Sequence, residues 1–228
     1  MLQSRILKVE SSNIKSFSEG VAKKTKLYNS KESQAKYFTF QILTGKNAHN
    51  FLRFQWAESL DEFDKIDTKG NDYWQKTVGS LHKSVGNRIW SKAKDASYSP
   101  ENLERVDHRR IIYYNYQDSG EKDFWRFRER VKKAMTESKY GQRMSVFYCA
   151  SGFDGNWVQV RFHHKNFAGE RSDYAEPLKV MIEKYNSLYG KDAYEQDSEK
   201  VNATLMEDGR RIRHHKFMPE MSSHRKMK

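Results

Sequence analysis

Hydrophobic positions along the first half of the chain follow two periods. Apolar and polar residues alternate, as in half-buried strands, over 4–10, 37–43 and 50–56. Helical spacing predicts a helix over 13–29, carried by Ile14, Phe17, Val21 and Tyr28, and another over about 72–92, carried by Trp74, Val78, Leu81, Val85 and Ile89. The first half is therefore predicted to run strand, helix, strand, strand, helix.

The second half follows the same order. Strands are predicted over 109–117, 144–150 and 156–164, and a helix over 121–138. A further helix is marked by the apolar stripe Leu178, Met181, Ile182, Tyr185, Leu188 and Tyr189. The last strand is expected from VNATLM (201–206) or from RRIRHHKFM (210–218), with a tight turn at 208–209 between them.

Two hairpin segments at corresponding places resemble each other. TGKNAHNFLRF (44–54) and SGFDGNWVQVRF (151–162) each pass from a hydroxyl residue and glycine through a polar turn to asparagine, an aromatic residue and an alternating strand. Asn156 follows Asn50 by 106 residues, close to half of the 228-residue chain. This long period predicts a duplicated βαββαβ unit, with repeats over 1–105 and 106–221 and a basic tail over 222–228.

The predicted fold class is α+β. Each βαββαβ repeat is expected to form a ferredoxin-like layer, an antiparallel sheet with both helices on one face. The bare face of each sheet must be covered, and two tandem layers cover each other. We therefore predict an α+β barrel with its helices outside.

The hairpin and the segment after it resemble a known superfamily. ESLDEFDK (58–65), which is expected to open an acidic, aromatic helix, is similar to a segment of the dimeric α+β barrel proteins. That superfamily includes antibiotic-biosynthesis monooxygenases, stress-responsive barrel proteins and chlorite-dismutase-like haem proteins. The ending KFMPEMSS (216–223) is similar to that of bacterial members of uncharacterised function. The resemblance covers most of the chain as an order of elements, without a diagnostic motif.

This resemblance implies a small-molecule protein with an organic ligand held between the sheets, either a binder or a cofactor-independent monooxygenase or isomerase. In this superfamily two units usually pair across two chains. The two tandem repeats of this chain would form the same pair within one chain. A homodimer of the whole chain stays open as a further possibility. The superfamily has no universal catalytic residue, so none is transferred to this chain. Haem occurs in some members, but nothing in this sequence requires haem or another cofactor.

Charge adds a second hypothesis. The formal net charge is +12, and 14% of the residues are aromatic, which favours anionic partners. Basic residues cluster twice, in Arg210, Arg211, Arg213, His214, His215 and Lys216, and in the tail residues His224, Arg225, Lys226 and Lys228. A non-catalytic protein that binds nucleic acid or another polyanion through this C-terminal segment is therefore the alternative function.

Tandem RNA-recognition modules are the structural form of that alternative, because they share the βαββαβ order. Two features oppose them. Asn47, Ala48 and His49 stand where the glycine-aromatic signature of such a module is expected. The span after the third strand is also too long for the short second helix of that module.

Several classes are excluded by absent patterns. Cys149 is the single cysteine, so neither an intramolecular disulfide nor a cysteine-rich zinc site is expected, and it is predicted to be a buried core residue. No HExxH motif, phosphate-binding loop or GxSxG elbow occurs. No run of 18 apolar residues occurs, so we expect a soluble, cytoplasmic protein without a membrane partner. A signal peptide removed before Met1 would leave the same sequence.

Alternation within the strands selects the candidate site residues. Leu52, Phe54 and Trp56 are expected to meet helices, and so are Val158, Val160 and Phe162. The opposite faces are expected to line the barrel, and they supply the ligand-binding candidates Arg53, Gln55, Asn115, Trp157, Gln159 and Arg161. His163 and Tyr113 are the catalytic candidates, and no metal ligand set is predicted.

Arg53 and Arg161 carry the main functional hint. Both arginines are predicted to face the barrel interior at related positions of the two repeats. A buried guanidinium needs a carboxylate partner or an anionic ligand. Pairing with carboxylates of the protein, or exposure at the barrel rim, is the alternative explanation.

Overall fold

The computed structural model describes residues 1–101, 104, 106–172 and 175–224. The chain divides into two compact units. Unit 1 comprises Met1–Trp90, Ala150–Gly152 and His215–Lys228, and unit 2 comprises Ser91–Cys149 and Phe153–His214. Of the predicted basic tail, residues 225–228 lie outside the described residues.

Unit 1 is built on an antiparallel sheet. Its strands are β1 (Leu2–Val9), β2 (Lys36–Ile42), β3 (Phe51–Trp56) and β4 (His82–Lys92), and its helices are α1 (Ile14–Tyr28) and α2 (Thr68–Val78). The pairing order is β4-β1-β3-β2, and β1 has a register shift between Ser4 and Ile6 where it pairs with β4. The strands predicted over 4–10, 37–43 and 50–56 and the helix over 13–29 are thereby confirmed.

The helices of unit 1 cover one face of this sheet. Asp67 caps α2, because its side chain accepts a hydrogen bond of 2.9 Å from the backbone amide of Gly70. The buried core on this face consists of Leu7, Phe17, Val21, Phe51, Trp74, Val78 and Met221. Burial of each such side chain contributes about 1.5–3 kcal/mol, so this core holds the two helices on the sheet.

The helix predicted over 72–92 is wrong in its second half. Helix α2 ends at Val78, and β4 begins at His82 after a short 3-10 turn. Pairing of β4 with β1 outweighs the helical spacing of Val85, which is 39% exposed in the strand. Trp90, the buried anchor of β4, donates a hydrogen bond of 3.0 Å from Nε1 to Ser4 Oγ. Gly86 adopts a φ of 69°, which a helix does not use.

The acidic segment after β3 also differs from its prediction. ESLDEFDK was expected to open an amphipathic helix, but it forms only a 3-10 turn at Asp61–Asp64. Helix α2 begins later, at Thr68, behind its Asp67 cap. The cap at Asp67, and not the acidic run, therefore sets the start of the helix.

Unit 2 contains most of the remaining elements. Strands β5 (His108–Tyr116), β6 (Met144–Ser151) and β7 (Asn156–His164) pair in the antiparallel order β5-β7-β6. Helices α3 (Glu121–Glu137), α5 (Ala175–Tyr189) and α6 (Ala193–Ala203) accompany them, with a short α4 (Phe167–Ser172) after β7. The predicted strands and the helices at 121–138 and 178–189 are confirmed, whereas α4 and α6 were not predicted.

The last strand is longer than either predicted version. Strand β8 runs over Leu205–Phe217, while Val201 belongs to the end of α6, so VNATLM is not a strand. The expected turn at 208–209 lies inside β8 and does not separate two strands. Asp208 keeps a left-handed φ of 54° there, so the turn signal appears as a local irregularity of the strand.

The strands follow the hydrogen-bonded order β1-β3-β2-β8-β5-β7-β6-β4 and close into an antiparallel barrel. The α+β class is thereby confirmed. Residues 2–92 run β-α-β-β-α-β, and 108–217 follow the same order with extra helices. Descent of both halves from one repeat stays a prediction. Among the described residues, no helix combines the length and apolar character needed to cross a membrane.

Candidate functional site

The predicted site residues of unit 2 share one face of its sheet. Their neighbours along β5 and β7 belong to the core beneath the helices, namely Ile112, Tyr114, Val158, Val160 and Phe162. Alternation therefore places the predicted residues on the other face, as expected, and these are Tyr113, Asn115, Trp157, Gln159, Arg161 and His163. The structure brings these six candidates together on two adjacent strands.

Arg161 is the most deeply buried cation of this group. Its Nε and Nη2 donate hydrogen bonds of 2.8 and 2.6 Å to Gln159 Oε1, and its guanidinium lies 4.1 Å from the ring centre of Phe147. Tyr113 pairs with Gln159 across the strands, and His163 pairs with Arg109. These contacts define the environment of the candidates, while their roles in binding or catalysis stay predictions.

Arg53 and Gln55 lie on the face opposite to the one predicted. Phe51, two residues before Arg53, packs in the core between the unit 1 sheet and helices α1 and α2. Arg53 shares that face: its Nη1 donates to Thr39 Oγ1 at 2.6 Å and its Nη2 to Thr25 Oγ1 of α1 at 3.2 Å. Arg53 therefore faces the helices.

The physical reason for this error is the parity of the pleat. The sequences of the two hairpin segments align. Phe51 nevertheless points to the helices of its unit, whereas the aligned Trp157 points away from the helices of unit 2. Because side chains alternate with a period of two, a shift of one residue exchanges the faces of a strand. Arg53 and Arg161 are consequently not equivalent, although their sequence contexts match.

Neutral acceptors surround the buried Arg53. Besides the two threonines, the backbone carbonyl of Met221 accepts a bond of 2.8 Å from Nη1. The guanidinium lies 4.8 Å from the ring centre of Tyr37 and 5.3 Å from that of Trp74. Burial, with smaller effects from nearby charges, lowers the pKa of Arg53 to about 9. Its hydrogen bonds identify Arg53 as a structural connection between β3, β2, α1 and the C-terminal 3-10 turn at Pro219–Met221.

Lys24 of α1 adds a second buried cation beside Arg53. Its Nζ donates to Asn29 Oδ1 at 2.8 Å and lies 3.9 Å from Asp67 Oδ2. Burial, followed by the charge of Arg53, lowers the pKa of Lys24 to about 8. The charged form of Lys24 is thus disfavoured in the folded protein.

A pocket that the sequence did not reveal lies within unit 2. It has a volume of about 240 Å³ between the sheet and helices α3, α5 and α6. Its aliphatic and aromatic lining consists of Ile112, Tyr114, Phe127, Val131, Met135, Tyr140, Phe162, Leu178, Met181, Tyr194 and Val201. Ligand sites of proteins have this character, an apolar wall with a few placed polar groups.

Arg128 of α3 is the distinctive polar residue of this pocket. It is 6% exposed, and its guanidinium lies 4.3 Å from the ring centre of Phe127 and 5.3 Å from that of Tyr114. Its Nε is buried and has no hydrogen-bond partner among the described residues. No ion pair with Arg128 occurs in the described part of the chain.

The two neighbouring arginines of α3 behave differently. Arg126 Nη2 and Arg130 Nη1 donate to the carboxylate of the buried Asp197 of α6 at 3.0 and 2.7 Å. The hydroxyl of Tyr185 donates to the same carboxylate at 2.5 Å. Asp197 therefore joins α3, α5 and α6 and leaves Arg128 as the arginine of this helix that has no counter-ion among the described residues.

The rest of the polar lining contains no acidic residue among those described. Arg110 and Arg210 contribute two further guanidiniums, and Ser198 and Asn202 of α6 contribute a hydroxyl and an amide. Arg110 Nε lies 3.5 Å from Glu170 Oε1 of α4, which itself does not line the pocket. The lining thus carries a positive charge surplus and suits an anion.

A sequence signal for Arg128 existed. Phe124, Phe127, Val131 and Met135 set the apolar stripe of α3, and Arg128 follows Phe127 within this stripe at helical spacing. An arginine on a core-facing stripe predicts either a buried ion pair or a ligand contact. Only the packed structure shows that no carboxylate of the described residues reaches it.

A larger groove of about 560 Å³ lies in unit 1 between α1, β3 and the segment before α2. It carries Glu32, Glu58, Glu62 and Asp67 together with Lys36 and Lys65. None of the buried side-chain atoms that lack a hydrogen-bond partner among the described residues belongs to this groove. The smaller pocket of unit 2 is therefore the better candidate site.

Haem, which occurs in some members of the superfamily that the sequence resembles, does not fit the unit 2 pocket. Its described lining contains no histidine and no cysteine to bind an iron ion axially. At about 240 Å³ the pocket also lies below the usual range for sites of drug-sized ligands, roughly 300–1,000 Å³. Among the described residues, no group of three histidine, cysteine, aspartate or glutamate side chains is arranged to hold a metal ion.

Comparison with known proteins identifies the fold. No family model and no curated protein matches the chain. Among solved structures, a candidate monooxygenase from Lactobacillus acidophilus is 14% identical with a TM-score of 0.56, and 97% of this chain and 94% of that chain are covered. An anthrone oxidase-like protein is 12% identical with a TM-score of 0.55, and the coverage is 95% and 90%.

A chlorite dismutase from Candidatus Nitrospira defluvii also matches, with 9% identity, a TM-score of 0.55, and coverage of 96% of this chain and 92% of that chain. These likenesses extend over nearly the whole chain. They confirm the resemblance in fold to the dimeric α+β barrel proteins, and at such low identities they show the fold alone.

Proposed function

We propose that the unit 2 pocket binds a small organic acid whose anionic group contacts Arg128. The observation that carries this proposal is the buried guanidinium of Arg128, which lines an apolar pocket and has no hydrogen-bond or ion-pair partner among the described residues. The prediction of an anionic organic ligand is thereby kept, but the proposed site moves to the space between the unit 2 sheet and its helices.

Energetics support an anion at this position. A buried charge without a partner is costly, and the aromatic rings around Arg128 compensate only part of its lost hydration. A carboxylate accepts two parallel hydrogen bonds from a guanidinium, and a hydrogen bond to a charged group contributes about 1.5–3 kcal/mol. An acidic ligand would therefore gain affinity from a group that the protein leaves unsatisfied.

Binding of organic acids to the purified full chain tests this proposal. Isothermal titration calorimetry with benzoate as the probe should show a single site, and Arg128→Gln should weaken it by at least roughly tenfold. Arg211→Gln is the matched control, because Arg211 is exposed in β8 and does not line the pocket. Equal affinities of the wild type and Arg128→Gln would contradict the proposal.

An enzymatic role of the monooxygenase type is the second candidate function. The fold neighbours that are described as a candidate monooxygenase and an anthrone oxidase-like protein support it. We propose that dioxygen oxidises a bound acid without a resident cofactor: a methylene group of the ligand becomes a carbonyl group, and its two hydrogens leave with the second oxygen atom as water. Oxygen uptake that depends on both the bound acid and Arg128 would support this reaction, whereas binding without uptake would leave the protein a binder.

His163 and Tyr113 stay our proposed catalytic residues only for a ligand on the other face of the unit 2 sheet, since neither lines the pocket. Asn115, Trp157, Gln159 and Arg161 would bind such a ligand. The buried Oδ1 of Asn115, which has no hydrogen-bond partner among the described residues, favours this second site. Loss of oxygen uptake in His163→Gln, with unchanged binding of benzoate to the unit 2 pocket, would support this second site.

Polyanion binding is the remaining alternative. Arg210, Arg211 and Lys216 of β8 are exposed and lie on the basic segment from which this partner was predicted. Retention on a heparin column that falls steeply with salt, and that is lost in an Arg210→Gln, Arg211→Gln, Lys216→Gln variant, would favour this function. Unchanged retention of the triple variant would exclude this segment as the binding surface.

A further inference from the structure

The volume of the unit 2 pocket limits the size of its ligand. A dry engineered cavity of about 150 Å³ accommodates benzene. The pocket measures about 240 Å³, which leaves about 90 Å³ beyond one ring for an acid group and a small substituent. A skeleton of three fused rings needs substantially more space than this pocket offers.

The lining favours an aromatic ring over an aliphatic chain. Tyr114, Phe127, Phe162 and Tyr194 contribute ring surfaces, and Met135 and Met181 contribute thioethers. Pairs of aromatic rings gain affinity beyond what their buried area contributes, and thioethers also contact rings favourably. A flat ring beside Arg128 would add to the cation–π contact that this guanidinium already makes with Phe127, whose ring centre lies 4.3 Å away.

Two polar side chains provide a hydrogen-bonding site on α6. Ser198 and Asn202 are four residues apart, so they lie on the same side of the helix, and both line the pocket. Neither side chain makes a hydrogen bond to a described residue. A hydroxyl group and an amide suit a neutral hydroxyl substituent of a ligand, which both donates and accepts.

We infer that the ligand of this pocket is a hydroxylated single-ring aromatic carboxylate. The carboxylate contacts Arg128, the ring packs among Tyr114, Phe127 and Phe162, and the hydroxyl meets Ser198 or Asn202. This inference rests on the proposed function, and it adds the size, the aromaticity and the hydroxyl of the ligand.

Calorimetric titration of the full chain with five probes tests the inference: benzoate, 4-hydroxybenzoate, benzamide, hexanoate and 9-anthracenecarboxylate. We expect 4-hydroxybenzoate to bind most tightly and 9-anthracenecarboxylate not to bind. Benzamide, which has the shape of benzoate without its charge, should bind roughly 10–100-fold more weakly than benzoate because the charged hydrogen bonds to Arg128 are lost. Hexanoate should bind at least roughly fivefold more weakly because it lacks the ring contacts.

Variants separate the parts of the inference. Arg128→Gln should bring the affinity for benzoate down to that for benzamide, and Arg128→Lys should restore part of the difference. Ser198→Ala with Asn202→Ala should abolish the preference for 4-hydroxybenzoate over benzoate. Thermal denaturation of each free variant confirms that it is folded before its affinity is interpreted.

The outcomes distinguish this inference from the proposed function. Binding of 9-anthracenecarboxylate or hexanoate as tight as that of benzoate, with dependence on Arg128, would overturn the single-ring class and leave an organic-acid site. An unchanged hydroxyl preference in the α6 double variant would overturn the role of Ser198 and Asn202. Absence of binding by every acid would contradict the proposed function itself.

Discussion

Arg53 in unit 1 and Arg128 in unit 2 are both buried arginines beside aromatic rings, yet their polar environments differ. Arg53 is 2% exposed and donates hydrogen bonds to two threonine hydroxyls and a backbone carbonyl. Arg128 is 6% exposed and makes no hydrogen bond to a described residue. The protein thus satisfies one buried guanidinium with its own acceptors and leaves the other at the wall of a pocket.

This difference teaches how to separate a structural cation from a candidate ligand-binding one. Burial alone does not decide, since both arginines are buried. The number of hydrogen-bond acceptors that the protein supplies distinguishes the two roles, because a buried donor without an acceptor carries a desolvation cost that a ligand can remove. The following changes test the contrast in decreasing order of expected effect on stability.

Replacement of Arg53 should have the largest effect. Arg53→Met removes three hydrogen bonds and leaves the hydroxyls of Thr25 and Thr39 without this donor. We expect the free energy of unfolding to fall by about 3–5 kcal/mol, as when one member of a buried polar network is deleted. Urea denaturation measures this loss, and a loss below about 1 kcal/mol would remove the structural role of Arg53.

Replacement of Asp197 should have the next largest effect. Burial alone raises the pKa of Asp197, but hydrogen bonds from Tyr185, Arg130 and Arg126 outweigh it and lower the pKa below 3.8. Because the folded-state pKa lies below the unfolded one, Asp197 stabilises the protein above about pH 3.8 and loses this contribution as pH falls through its folded pKa.

Asp197→Asn should therefore cost about 1–3 kcal/mol at neutral pH and less in acid, as measured by urea denaturation at several pH values. Glu199→Gln on the exposed side of α6 is the matched control and should change stability little at any of these pH values. A cost of Asp197→Asn that is the same at acidic and neutral pH would contradict the assignment of a charged Asp197.

Lys24 should give a smaller effect, in which stability also rises with pH but in an alkaline range. Its folded pKa of about 8 lies below the unfolded value of 10.5, so the unfolded chain binds more protons between these values. The free energy of unfolding should therefore rise as pH increases from about 8 to 10.5, and Lys24→Met should remove the part of this rise that Lys24 contributes. Identical slopes in the wild type and the variant would contradict the burial of a charged Lys24.

Replacement of Arg128 should have the smallest effect on the free protein. Arg128→Met keeps the apolar stem and removes a charge without a described partner, so we expect a change in the free energy of unfolding within about 1 kcal/mol, or a slight gain. Stabilisation by benzoate in thermal denaturation should disappear in this variant. A loss as large as that of Arg53→Met would show that the protein itself satisfies Arg128, and the contrast between the two arginines would vanish.

Most elements could be predicted from local patterns. The alternation of β7 and the stripe of α3 gave correct elements because one face of each packs against a single core. Segment 82–92 failed since its apolar spacing fits a helix while its pairing partner, β1, is distant in sequence. Helix α6 was missed because its apolar positions are few and its anchor, Asp197, is a charged residue.

The candidate site divides in the same way. Alternation placed Gln159 and Arg161 on the correct face of β7. The same rule failed for Arg53, because the similar sequences of the two hairpins do not determine which face of each strand meets the helices. Arg128 was visible as an arginine within an apolar stripe. The sequence did not show that Arg128 lacks a partner. Nothing in the sequence distinguishes Asp197 from the other carboxylates of α6, and only the structure shows that it accepts hydrogen bonds from Arg126 and Arg130 instead.

The sequence by itself determined the class of the fold, the order of most strands and helices, and the positive charge, because these depend on local periodicity and composition. Only the tertiary structure decided which face of β3 meets the helices and which buried arginine has acceptors. Both depend on where distant segments such as Thr25, Met221 and Asp197 come to lie, and a single side chain can satisfy only the donors within about 3 Å of it.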